Sequence, residues 1–143
     1  MPLKLKSTDR EEIENAVILW IKLLSEEKYE EAYDLTTHDP YYQWTPVSIK
    51  RTINGYGLEE EIFDEEYRVT AIETAVLESV DHKVYKDIML FDTPLKHSPS
   101  FNIVGDVHYD LPLNGQWSDL TASFKILQYS DFVALELNEI HVI

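Results

Sequence analysis

The chain has 143 residues, with 27 acids against 12 lysines and arginines and a formal net charge of −15. That length makes one domain the default and allows a substantial core, while the charge repels nucleic acid and anionic membrane surfaces. No apolar run approaches the roughly 20 residues of a membrane span, and the lack of cysteine excludes disulfides, thiolate metal sites and thiol nucleophiles, as expected of a cytoplasmic protein.

Thr8-x-x-Glu11 reads as a capping box, with acids at 9, 11 and 12 where the helix dipole favours them. Ile13, Ala16, Val17, Trp20, Ile21 and Leu24 follow at helical spacing and predict a first helix ending near Ser25. Trp20 in that stripe reads as core before it reads as a ligand platform. A second, shorter helix is predicted from Lys28 to Thr36, with Tyr29, Ala32 and Tyr33 on one face. Residues 37 to 44 then place three aromatics, Tyr41, Tyr42 and Trp44, in a loop. They form either a rim that stacks on a partner or a plug that closes the core.

Thr45-Pro46 opens the third helix, since proline's missing N–H costs nothing in the first turn. Val47, Ile49 and Ile53 are expected to face inward, and Gly55 and Gly57 to end the helix. Residues 58 to 66 carry Glu59, Glu60, Glu61, Asp64, Glu65 and Glu66. Without the spaced Asp/Asn and the Gly of a calcium loop, this run reads as solvated charge. Residues 67 to 80 and 84 to 91 are strand formers, and 93 to 100, with two prolines, is expected to be a loop.

The C-terminal third is the most explicit. Asn114-Gly115 is a strong signal for a two-residue type I′ turn, in which both residues have positive φ. That turn predicts Leu113 opposite Gln116, Tyr109 opposite Leu120, Val107 opposite Ala122, Gly105 opposite Phe124 and Ile103 opposite Ile126. The other face would pair Asp110 with Asp119, His108 with Thr121, Asp106 with Ser123 and Val104 with Lys125. Two opposed aspartates repel and Pro112 cannot donate a ladder bond, so the pairing should bulge or splay near the turn. With Ser130-Asp131 as the next turn, Ile126 meets Leu135, Phe124 meets Leu137 and Lys125 meets Glu136. A bulge at Asn138-Glu139 is expected to turn Ile140 and Val142 inward.

The reading is α+β: three N-terminal helices on a curved antiparallel sheet of about five strands, in one domain spanning 1–143. This order, together with YEEAYDLT at 29–36, YDLPLNGQWSDLTASF at 109–124 and LNEIHV at 137–142, resembles the nuclear-transport-factor-two-like (cystatin-like) superfamily from Glu11 to Val142. The resemblance implies a cone-like sheet around a long first helix and points to a bacterial branch. The superfamily contains isomerases, dehydratases, transport adaptors and toxin-neutralising proteins, so it implies little about activity. Its enzymes hold a carboxylate, often with His or Tyr, inside the cone.

Asp106, His108 and Asp110 fall on the expected outer face, where an exposed strand gives a general base no shelter. They read as solvated or interface groups. Glu139 with His141 would make an acid–base pair only if the last strand kept strict alternation, and His38-Asp39 is an isolated loop pair. The sequence holds no phosphate-cradling loop, placed triad or zinc signature. No catalytic residue, metal or cofactor is therefore assigned.

Three readings follow. The first is a non-catalytic binding domain, resembling acidic immunity-type proteins that mask a basic partner. Tyr41, Tyr42 and Trp44 would anchor that partner, and the acids at 59–61 and 64–66, with Glu26, Glu27, Glu30 and Glu31, would steer it. The second is a small-molecule or isomerase-like pocket lined by Trp20, Tyr33, Tyr109, Glu139 and His141. The third is a domain that forms a homodimer through the outer sheet face: Asp106, His108, Thr121, Ser123, Lys125, Glu136 and Asn138.

Overall fold

A computed structural model of the chain describes residues 2–56, 67–77, 83–96 and 99–142. Its elements are α1 (Arg10–Ser25), α2 (Tyr29–Leu35), β1 (Thr37–His38), α3 (Pro46–Asn54), a 3-10 turn at Ile72–Thr74, β2 (Lys86–Lys96), β3 (Asn102–Leu113), β4 (Gln116–Gln128) and β5 (Val133–Val142). The sheet is open, in the order β1-β5-β4-β3-β2. It is mixed rather than wholly antiparallel, because β1 runs parallel to β5. The three helices are N-terminal and pack on one face, giving the expected α+β architecture.

The helices follow from their apolar stripes. α1 buries Ile13, Ala16, Val17, Trp20, Ile21 and Leu24, and the Trp20 ring meets Phe124 of β4 edge-on at 5.1 Å. Its N-cap is Asp9, not Thr8: the Asp9 carboxylate accepts from Glu11 N at 3.0 Å. Glu12, three residues into the cap, accepts from Lys6 N at 2.6 Å and Ser7 Oγ at 2.9 Å. A carboxylate outcompetes the neighbouring hydroxyl for the unpaired, partly positive helix N–H groups. α3 has the expected Thr45 cap, a capping box with Ser48, Pro46 in its first turn and Gly55 at its C-cap. Ile49 and Ile53 are buried, but Val47 is exposed. At 100° per residue Val47 lies about 200° from Ile49 and cannot share its face. Gly57 lies outside the described residues, as do the acids at 59–66.

The β3–β4 turn is as expected, with φ of 51° at Asn114 and 83° at Gly115. Leu113 pairs with Gln116 and Pro112 with Trp117, and then the ladder shifts. Below the shift Asp110 faces Thr121, Tyr109 faces Ala122, Val107 faces Phe124 and Gly105 faces Ile126. These partners differ from the simple register by two residues. A shift of two preserves every side chain's face, so Tyr109 and Val107 still face the helices while Asp110 escapes Asp119; a second shift, between Ile103 and Gly105, pairs Ile103 with Leu127 instead of Ile126, and Val104, expected on the outer face, packs on the core instead. The β4–β5 pairs are Ile126–Leu135, Phe124–Leu137 and Lys125–Glu136, and a bulge at Asn138 puts Glu139 opposite Ser123. Ile140 is buried by that bulge, while Val142, at the strand end, is exposed.

Residues 67–77 do not form the expected strand. They wrap the tip of the hairpin: Val69 bridges Leu113 and Val76 bridges Gln116, on opposite sides of the turn. Thr70 Oγ1 accepts from Gly115 N at 2.8 Å, and Asn114 Oδ1 accepts from Arg68 N at 3.0 Å. Strand-forming residues are used here in single bridges because the segment crosses both arms of the turn. The expected loop after residue 93 is also partly strand, since β2 runs to Lys96. Its ladder with β3 breaks between Leu90 and Leu95, and Pro94 sits within that break, where its missing N–H removes no ladder bond.

Candidate functional site

The end of α1 sets up the most distinctive surface. Lys28 N donates to Leu23 O at 2.9 Å and Glu27 N to Leu24 O at 3.0 Å. This is a Schellman ending, whose left-handed position usually holds glycine. Here Glu27 occupies it, at φ 59°. Glu27, with Glu30 and Glu31 of the first turn of α2, then edges a groove of about 420 Å³ between α2 and α3. Tyr29 and the exposed Val47 also line it. Two lysines lie in the groove: Lys28 is 3.1 Å from Glu26, and Lys50 Nζ is 5.8 Å from the centre of the Tyr29 ring.

The aromatic loop divides between rim and plug. Tyr41 is 83% exposed; its N–H is held by the Asp39 carboxylate at 2.9 Å, and its ring meets Tyr42 edge-on at 5.1 Å. Burial first, and then the Glu139 and Asp39 carboxylates, raise the pKa of the Tyr42 hydroxyl. Trp44 is packed against the core, and its Nε1 donates to the Asn138 carbonyl at 2.7 Å. It closes the edge of β5 at the bulge, so Tyr41 is the aromatic with most surface to offer.

The five residues expected to line an interior pocket are dispersed. Trp20 and Tyr109 are core residues, 0% and 1% exposed. The cavity touching Trp20, among Leu3, Leu5 and Leu135, holds about 10 Å³, room for about one water. The Trp20 Nε1 has no hydrogen-bond partner there. Tyr33 stacks on His38 at 3.9 Å, and burial lowers the pKa of that imidazole. Glu139 and His141 approach to 3.2 Å across the Oε2–Nδ1 pair, on the face opposite the helices, where the bulge places them.

Tyr109 has a partner that periodicity alone did not reveal: its hydroxyl donates to Glu14 Oε2 at 3.2 Å. Burial, then the Glu14 carboxylate, raise the pKa of this tyrosine strongly. Glu14 borders the apolar stripe of α1, three residues before Val17. Near the end of α3 the Tyr56 hydroxyl donates to the Asp119 carboxylate of β4; burial and that carboxylate push the Tyr56 hydroxyl up to about 12.

The face away from the helices is drier than its composition implied. Asp110, Thr121, Ser123, Glu136 and Asn138 are all buried. Asp110, read from sequence as solvated, accepts from Thr121 Oγ1 and from Tyr85 N, each at 2.7 Å. Asn138 Nδ2 donates to the Glu136 carboxylate at 3.1 Å. His108 stacks with Tyr85, ring centres 5.9 Å apart. Short side chains that bond each other leave little polar surface here.

Among the described residues no group of three or more His, Asp or Glu is placed to hold a metal ion, and no helix is long and apolar enough to cross a membrane. No family model matches the chain, and neither a curated protein nor a solved structure compared with it does.

Proposed function

We propose that the protein is a non-catalytic binding domain that docks a basic partner protein on the acidic groove between α2 and α3. The observation that carries this reading is Glu27. A non-glycine residue at a left-handed helix ending costs about 1 kcal/mol, yet this position holds a carboxylate on the groove's rim. Strained positions of this kind cluster at functional sites, and the Glu27 carboxylate also lies 3.5 Å from Arg68. Glu30 and Glu31 add charge beside it, the net charge of −15 supplies the long-range field, and exposed Tyr41 and Val47 offer apolar contact. Glu59, Glu60, Glu61, Asp64, Glu65 and Glu66 extend the acidic composition in sequence. The near-solid packing around Trp20 weighs against the interior-pocket reading, since ligand pockets usually hold about 300 Å³ or more. On this reading the chain is an immunity-type member of the nuclear-transport-factor-two-like superfamily acting in the cytoplasm; the three helices preceding and covering one face of the sheet agree with that superfamily's layout alone.

The test is affinity capture from an extract of the source cell with the wild-type chain and with a Glu27→Gln, Glu30→Gln, Glu31→Gln variant. The wild type is expected to retain a basic protein that the variant loses, with an on-rate that falls steeply as salt rises past about 0.1 M. Glu27→Gly should stabilise the fold by about 0.5–1 kcal/mol while weakening that capture. Identical capture by wild type and triple variant, or an ordered small molecule against Trp20 and Tyr109, would overturn the reading.

A further inference from the structure

The two edges of the sheet are finished differently. The outer edge of β5 is closed as far as Asn138. Leu5 exchanges backbone bonds with Val133 at 2.7 and 2.8 Å, β1 pairs with Glu136 and Leu137, and the Trp44 indole takes the Asn138 carbonyl. No described residue pairs with the outer edge of β2. Along it Met89 is 54% exposed, Leu90 47% and Leu95 56%. Open apolar edges are templates for another strand.

We propose that β2 pairs antiparallel with β2 of a second copy, about a two-fold axis through Met89. The ladder parity selects the residues. Asp110 N donates to Tyr85 O at 2.8 Å, and the register continues as Lys86–Tyr109, Asp87–His108, Ile88–Val107 and Met89–Asp106. Bonds to β3 therefore fall on 85, 87 and 89, and residues 86, 88 and 90 turn their N–H and C=O outward. A two-fold axis at Met89 pairs Ile88 with Leu90 of the other copy and Lys86 with Asp92. Ile88 and Leu90 thus meet with outward-turned backbone on both strands, and Lys86, whose Nζ lies 4.9 Å from the Trp117 ring centre, falls opposite an anion. Axes at Ile88 or Leu90 keep the parity but put Lys86 opposite Leu90 or Pro94; axes between residues break the parity.

Pro94 ends the usable edge on each strand, which confines the contact to about seven residues and makes the dimer weak. Because the opposite edge is closed along most of its length, the contact is isologous and does not propagate into fibres. This surface differs from the outer sheet face, whose central polar residues are already buried within one copy.

The chain has no cysteine, which gives a direct test. Residues facing each other across a non-hydrogen-bonded antiparallel pair have Cα atoms about 4.5 Å apart, within disulfide range. In a glutathione redox buffer, full-length Met89→Cys should form a disulfide-linked dimer at least about tenfold faster than Leu95→Cys, whose symmetry mate lies several residues away. Sedimentation should show wild type dimerising reversibly at concentrations up to about 100 μM, Met89→Glu at least tenfold weaker, and Lys86→Glu weakened but rescued by adding Asp92→Lys. A wild-type monomer throughout that range, equal cross-linking of the two cysteine variants, or failure of the charge swap to restore association would each overturn the pairing.

Discussion

At the scale of single residues, the backbone settles what side-chain patterns leave open. Gly105 lies in β3 between Leu90 of β2 and Ile126 of β4. A Cβ there would collide with the Met89 carbonyl oxygen and lie 3.1 Å from both Ile126 Cδ1 and the Leu90 Cα. Two of these three atoms are backbone and cannot rotate away, so the strand has to move. Gly105→Ala should therefore destabilise the fold by about 1–3 kcal/mol, the usual range for overpacking. Urea unfolding measures this directly, and an unchanged midpoint would mean that β2 yields freely. Gly115 poses the opposite case: a Cβ there meets nothing within 4 Å, but φ is +83°, so any cost of substitution comes from the backbone alone.

At the scale of elements, Trp44 ties the start of α3 to β5: it precedes α3, packs on the core and bonds to the bulge of β5. Trp44→Phe keeps an aromatic ring but removes the donor and part of the indole's packing, so it should lower stability by at least about 0.5–1.5 kcal/mol. Its capture of a basic partner should be unchanged once folded, in contrast to an anchor residue, and equilibrium unfolding beside a binding assay separates the two roles. The helices were legible because a stripe such as Ile13-Val17-Trp20-Leu24 needs no knowledge of what it packs against. The bulge at Asn138 was legible too, since strict alternation would have exposed Ile140. From Gly105 to Asp110 the hairpin's faces are as expected although the partners are not, because the two-residue shift cancels in the alternation; at Ile103 and Val104 a second, odd shift reverses them. Residues 67–77 were misread for a physical reason: β-branched composition is the same in a ladder and in single bridges across a turn. The acids of the groove were visible as charge, but their meeting with Val47 and Tyr29 depends on how α2 crosses α3, which no local pattern encodes.

At the scale of the whole molecule, the charge that would speed capture of a cation works against the fold. A chain at −15 repels itself, and the described pairs of its acids with lysine or arginine, Lys28–Glu26 at 3.1 Å and Arg68–Glu27 at 3.5 Å, are both exposed and stabilise little. The repulsion extends over about 30 Å at 0.01 M salt and about 10 Å at 0.1 M. The melting temperature should therefore rise on going from 0.01 to 0.3 M sodium chloride, by about 2–8 °C for each kcal/mol of repulsion relieved. Glu27→Gln, Glu30→Gln, Glu31→Gln should melt higher than wild type in low salt and approach it in high salt, since its added stability is the same screened term. A wild-type melting temperature independent of salt would mean that the acids lie too far apart to interact, and the field invoked for capture would be equally weak. Both effects depend on one quantity, so the salt range that slows partner capture is the range in which the free chain gains stability.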